Sequence, residues 1–250
     1  MLNRFIFSIQ NFDSASLSML SSVIHKFTQT GEYHCAIRRG TEIVGRFSIQ
    51  VTEKNTDQDC CSCQQQTQAN IDLKALETPT PQHFESQATN RYQIVKDGYA
   101  VFHVSNGAGG YSIEIDKIGH ETKAIKIFDS TQLKEDDLYT ATVLRPGTYR
   151  ITNQTTKTQA ELTVTYPERG KIPKQPQAIQ IQCSKETILP DKIQIQPTQS
   201  LVFHFQTSSH IKIELTKPED RPKPSPTQTA TQKTTAAQTK KIRRQLKIHV

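Results

Sequence analysis

The most constraining feature of this chain is a run of short segments in which apolar residues recur at every second position, each closed by turn-forming residues. Tyr92/Ile94, Val101/His103, Tyr111/Ile113/Ile115, Ala124/Ile127, Tyr139/Ala141/Val143 and Tyr149/Ile151 alternate in this way. Leu162/Val164, Ile179/Ile181/Cys183, Ile193/Ile195, Val202/His204 and Ile211/Ile213/Leu215 continue the series. Successive side chains of a strand point to opposite faces, so each run has one face to bury. Lys96-Asp97-Gly98, Asn106–Gly110, Arg145-Pro146-Gly147 and Leu189-Pro190-Asp191 punctuate them. Many short strands at near-regular spacing predict a mainly β body over residues 91–216, an antiparallel β-sandwich.

The first 52 residues read differently. Phe5, Phe7 and Ile9 alternate as a strand, and Asp13 or Ser14 is placed to cap a helix. Leu17, Leu20, Ile24 and Phe27 recur at helical spacing, and Gly31 stops the run. Tyr33/Cys35/Ile37, a turn at Arg38–Thr41, and Ile43 to Val51 then predict a hairpin. The expectation for residues 1–52 is a small β-α-β-β segment that must pack on something larger.

Residues 53–90 are poor in large apolar side chains and rich in Gln, with Thr78-Pro79-Thr80-Pro81 holding the chain extended, so they read as a polar linker. Ile71–Leu76 is expected to form at most one helical turn. The linker carries Cys60, Cys61 and Cys63. Thiolates this dense suit a soft metal or a redox role, with Cys35 or His83 as a further ligand, although the spacing lacks the repeated pair of a zinc site. Five cysteines, three of them crowded together, make a poor disulfide framework and point to a reducing, cytoplasmic location. Met1 to Ile9 lacks the length of a secretory apolar region, and no run approaches a membrane span.

Gly31-Glu32-Tyr33 opens a hairpin that ends at Arg46–Val51, and Gly147-Thr148-Tyr149 opens another that ends at Glu161–Thr165, a weak internal repeat. Arg145-Pro146-Gly147-Thr148-Tyr149 resembles the Pro-Gly-x-Tyr turn of immunoglobulin-like, cupredoxin-like and collagen-binding β-sandwich modules. The resemblance spans about ten residues and implies a way of entering a strand rather than an activity.

Charge is divided sharply. Residues 217–250 hold nine Lys or Arg against two acids, which is the whole net charge of +7; residues 1–216 hold 22 of each sign. A basic field confined to a tail gives the body no electrostatic reason to bind nucleic acid. Thr216–Thr239 is rich in Pro, Thr, Gln and Lys and is expected to be disordered. Beyond it, Lys240, Lys241, Ile242, Arg243, Arg244, Leu246, Lys247, Ile248 and Val250 mix cations with apolar residues. That mixture suits docking to other protein subunits or to a second copy of the chain; contact with nucleic acid or an anionic membrane would come through this tail alone.

Other candidates read as structural. Asn106–Gly110 lacks the Lys-Ser/Thr of a phosphate loop. Cys183 lacks a nearby His, which disfavours a copper site. His103 and His204 would meet only if their strands paired. Asp136 and Asp137 read as solvated turn acids, Thr131–Asp137 as a short helical connection, and Tyr99, Tyr111 and Tyr139 as the rings available to a sugar. No cofactor and no catalytic set is expected. The reading is a non-catalytic structural or interaction subunit, with metal or redox chemistry at Cys60/Cys61/Cys63 and polyanion binding by the tail as alternatives.

Overall fold

A computed structural model describes residues 6, 8–54, 66–77, 90–119, 124–135, 137–166 and 177–219. They are mainly β, with almost no helix. The chain runs through Asn11–Asp13 (β1), Ser21–Lys26 (β2), Gly31–Arg39 (β3), Glu42–Thr52 (β4), Gln68–Asp72 (β5), Arg91–Val95 (β6), Tyr99–His103 (β7) and Tyr111–Ile118 (β8). It continues through Ala124–Asp129 (β9), Asp137–Thr142 (β10), Gly147–Asn153 (β11), Gln159–Val164 (β12), Ile179–Cys183 (β13), Ile188–Leu189 (β14), Lys192–Ile195 (β15), Ser200–Phe205 (β16) and Ile211–Pro218 (β17).

Three mixed sheets result: β6-β4-β3-β8-β9, β1-β17-β11-β12-β15, and the seven-stranded β14-β13-β16-β10-β2-β7-β5. Their inward residues form one continuous apolar cluster. Aromatic rings tie the sheets together: Phe102 of β7 stacks on Phe128 of β9 at 5.9 Å and lies 6.4 Å from Phe47 of β4. Burying a side chain of this size contributes about 1.5–3 kcal/mol, so such contacts dominate the cohesion of the body.

The two five-stranded sheets are the same object built twice. Phe12-Asp13-Ser14, Leu17 and Gly31-x-Tyr33 recur 116 residues later as Phe128-Asp129-Ser130, Leu133 and Gly147-x-Tyr149. Val101-Phe102-His103 recurs as Val202-Phe203-His204. The two Gly-x-Tyr corners also match in bonding. Tyr33 Oη donates to the Gln29 carbonyl at 2.6 Å and Tyr149 Oη to the Arg145 carbonyl at 2.8 Å. Each corner glycine sits at positive φ, 144° for Gly31 and 150° for Gly147, where a side chain is strained.

The repeats exchange their first strands. β1 pairs with β17 of the second repeat, and β9 pairs with β8 of the first. Ser14 N donates to Ile211 O while Ser14 Oγ accepts from Ile211 N; Ser130 repeats both bonds with Ile113. Leu17 bridges to Tyr111, and Leu133 to Ser209. In the seven-stranded sheet β2 lies antiparallel to β10 with Val23 opposite Tyr139, which are themselves equivalent positions, so a pseudo-two-fold axis passes through that pair.

The helix expected from Asp13 or Ser14 to Phe27 is absent; the segment is turn and β2. The inward set of this strand is Ser21, Val23, His25, with Phe27 following, and two of those positions are polar. An apolar pattern therefore hid a period of two. Leu20 sits at φ 67°, which no α-helix accommodates. Residues 131–135 form a turn and bend around the Leu133 bridge rather than a helix, Asp137 already belongs to β10, and residues 71–76 end β5 and enter a turn. Strands from the first 52 residues share sheets with strands of residues 91–118 through the pairs β2–β7, β3–β8 and β4–β6. Residues 66–77, expected in the connector, supply β5 to the edge of the central sheet.

This closed exchange carries a test. Leu215 N donates to Gln10 O, so the end of β17 lies beside the approach to β1, as the end of β8 lies beside the start of β9. A circular permutant that starts at Ala124, joins Pro218 to Ser8 with a linker of about five residues, and ends at Ile118 should fold and melt cooperatively. An aggregated or non-cooperative product by circular dichroism would show that the ring is not closed in this way.

Candidate functional site

The sequence singles out no cleft, so the site must be sought where polar groups cluster. Three clusters lie where the repeats meet. His25 and Asp137 face each other across β2 and β10, both buried, with His25 Nδ1 2.7 Å from Asp137 Oδ1. The other carboxylate oxygen accepts from Lys134 N at 2.7 Å. The His25 ring lies between Phe27, edge-on at 4.9 Å, and Phe128 at 4.8 Å. Asp137 was read from sequence as a solvated turn acid; it is instead buried, because β10 begins at this position and turns it inward.

The second cluster holds β1 onto β17. Asp13 Oδ1 accepts from Ala15 N at 2.8 Å and lies 2.6 Å from His210 Nε2, while Lys212 Nζ is 3.5 Å from Oδ2. Burial tends to raise the Asp13 pKa, but the His210 hydrogen bond, the Ala15 N–H and the two neighbouring bases outweigh it and hold the carboxyl below its ordinary value. In the third cluster Asn153 Nδ2 donates to Ser209 Oγ at 2.9 Å, and Asn153 Oδ1 accepts from Thr155 N and His210 N.

Each cluster ends on backbone groups or on its own members. Among the described residues one buried side-chain polar atom lacks a hydrogen bond: the Tyr139 hydroxyl, next to the pseudo-two-fold axis, with Ser21 and Asp13 as polar neighbours and its pKa driven up by burial. These clusters work as fasteners, and their geometry offers no nucleophile beside a base.

On the outer face of β11, β12 and β15 lies a shallow groove of about 320 Å³ lined by Arg150, Gln159, Glu161, Asp191, Lys192 and Thr216. These six side chains are exposed. They come from the β11–β12 hairpin, from the start of β15 and from β17, and only strand register brings them together, which is why the sequence did not reveal them. A better signal existed for Asp13, whose Phe-Asp-Ser setting is repeated at Asp129.

The other expected residues fall as follows. Cys60, Cys61, Cys63, His83 and Asp136 lie outside the described residues, as do Lys240, Lys241, Ile242, Arg243, Arg244, Leu246, Lys247, Ile248 and Val250. Cys35 and Cys183 are free and buried. His103 and His204 do not meet, because β2 and β10 separate their strands; His204 Nε2 lies 2.5 Å from Gln180 Oε1 instead. Tyr111 and Tyr139 are buried and present no ring to a sugar, whereas Tyr99 is 40% exposed. The Asn106–Gly110 loop packs: a Cβ on Gly109 would come within 2.7 Å of Ser18. Among the described residues no set of three or more His, Cys, Asp or Glu is placed to hold a metal. Among them, too, no helix is long and apolar enough to cross a membrane.

No family model, no curated protein and no solved structure matches the chain.

Two outcomes follow. Because the folded pKa of Asp13 is depressed, its contribution to stability is fully present above the ordinary value of 3.8 and is lost as pH falls through the lower folded value. Asp13→Asn should therefore cost about 1–2 kcal/mol near neutral pH, the difference closing towards about pH 3 in urea titrations. A pH-independent difference would remove the role given to the carboxylate. Burial raises the Cys183 thiol to about 12 and Cys35 well above its usual value. Iodoacetamide should leave both unmodified in the native protein and label both after denaturation, read by peptide mass spectrometry.

Proposed function

We propose that this protein is a non-catalytic structural or protein–protein interaction subunit, an adaptor or assembly component of the cytoplasm. In this reading a β-sandwich body of immunoglobulin-like or cupredoxin-like kind does the holding and the basic C-terminal segment reaches a partner. One observation carries it: among the described residues the buried polar side chains, the Tyr139 hydroxyl excepted, are taken up by backbone groups and by one another, several of them across the junction of the two repeats, while the charges of Arg150, Glu161, Lys192 and Glu214 sit outside on strand faces without an ion pair. A site for chemistry needs converging polar groups in a shielded concavity. A site for macromolecular contact needs exposed, regularly spaced groups on a rigid scaffold.

The sandwich reading draws support from the ring contacts between the sheet β6-β4-β3-β8-β9 and the central sheet. It also draws on the single inward face of each strand in the central sheet. The tail reading draws on the charge division in the sequence. Its partner class is other protein subunits, because Leu246, Ile248 and Val250 alternate with Lys247 and His249 and so suit strand addition better than electrostatics alone.

The test is affinity capture with the full chain and with a chain ending at residue 239, at low and high salt. The expected result is one or more protein partners held only by the full chain and retained at high salt. Capture that collapses with salt and is replaced by nucleic acid or anionic vesicles would make the tail a polyanion binder. An identical set of captured proteins for both chains would end the tail reading.

A further inference from the structure

The outer face of the sheet β1-β17-β11-β12-β15 carries a row of alternating charge. Register places Glu214 of β17 beside Arg150 of β11, Arg150 beside Glu161 of β12, and Glu161 beside Lys192 of β15. All four side chains are exposed. Neighbouring strands are about 4.8 Å apart, so the row reads minus, plus, minus, plus at that spacing. Among the described residues none of the four forms an ion pair or a side-chain hydrogen bond.

The fold does not require this row. The equivalent positions of the first repeat are Asp116, His34, Ser48 and Arg91, joined by the same register. There the middle of the row has no acid, and Arg91 bonds to Gln50. Two copies of one architecture thus differ in what their outer faces present. The difference belongs to the surface.

We propose that the charged face of the second repeat docks a second copy of this chain. A two-fold rotation about an axis lying in the interface, parallel to the strands and midway along the row, reverses the order of charges. Glu214 then faces Lys192 of the second copy, and Arg150 faces its Glu161. The same two contacts are repeated by symmetry, so every charge of the row meets its opposite. An alternating row of even length is self-complementary under this operation, which is what an isologous interface needs. The groove lined by Arg150, Glu161 and Lys192 gives the opposing long side chains room to interleave. Five strands of this length offer a face of about 24 by 20 Å, roughly 500 Å² per copy, short of the roughly 800 Å² of a standard stable interface. The dimer is therefore weak, reversible and salt-labile.

This inference deepens the binding reading and is separable from it, because it uses no residue of the tail. The test is sedimentation equilibrium of the full chain. The wild type should dimerise reversibly at low salt and dissociate at about 0.5 M salt, where screening acts within a few ångströms. Arg150→Glu alone and Glu161→Arg alone should each be monomeric, since like charges then oppose. Mixed one to one, the two variants should form a heterodimer, because the acid introduced at 150 on one copy meets the base introduced at 161 on the other, and the unchanged Glu161 of the first meets the unchanged Arg150 of the second. The doubly substituted R150E/E161R chain should recover self-association. All three are exposed substitutions, and circular dichroism checks that they fold. A mixture that stays monomeric overturns the proposal, as does a wild type that is monomeric at low salt. Either result leaves tail-dependent capture standing; loss of tail-dependent capture with a normal heterodimer would do the reverse.

Discussion

Everything in this body depends on the reciprocal exchange of first strands. β1 and β9 each complete the other repeat's sheet, and Ser14 and Ser130 lock the exchange with the same pair of bonds to Ile211 and Ile113. A five-stranded sheet deprived of that strand would expose the inward face of β8 or β17 and leave a row of unpaired backbone groups. Neither repeat is complete alone. The chain behaves as a closed two-fold dimer fused into one polypeptide, and β2–β10 pairing across the pseudo-axis extends the closure through the central sheet.

Fusion frees the two halves to diverge, and the interior shows where they have. Asp137 corresponds to Ser21, and both satisfy the turn that precedes their strand: Asp137 accepts from Lys134 N, and Ser21 accepts from Ser18 N. At one junction the acid also gains His25; at the other the corresponding pair is Ser21 and Ala141. A buried acid without a partner costs several kcal/mol, so the His25 imidazole and the Lys134 N–H are what make a carboxyl tolerable there. On the axis itself Val23 faces Tyr139, which leaves a phenol hydroxyl buried without a bond. Strict symmetry was not needed once the chain was continuous.

Most strands of residues 91–216 were legible because their inward positions are almost all apolar; Tyr149/Ile151, Leu162/Val164 and Ile211/Ile213 each announce a period of two, whereas in β7 and β16 the buried sets are Ala100/Phe102 and Leu201/Phe203/Phe205 rather than Val101/His103 and Val202/His204. β2 was not, because Ser21 and His25 occupy inward positions and Leu17, Leu20, Ile24 and Phe27 imitate a helix. The duplication showed only as two Gly-x-Tyr corners. The Phe-Asp-Ser and Val-Phe-His matches become persuasive once register aligns the strands that hold them. The charged row was illegible in principle. Arg150, Glu161, Lys192 and Glu214 are unremarkable exposed residues until three separate strand pairings set them side by side.

Duplicated architecture offers its own control for reading function without relatives. Whatever both repeats share, the Gly-x-Tyr corners, the Ser locks and the aromatic interior, is demanded by folding. Whatever only one repeat has is free to serve something else. By that criterion the His25–Asp137 pair and the Asp13–His210 clasp, although asymmetric, stay within folding, because the first is occupied by a backbone N–H and ring contacts and the second by the Ala15 N–H and Lys212. The Glu214–Arg150–Glu161–Lys192 row does not: its charges are exposed and contribute little to the monomer, and among the described residues they form no ion pair or side-chain hydrogen bond. A surface that is ordered by the sheet, left without ion pairs among the described residues and absent from its twin is the part of this molecule that folding alone leaves unexplained.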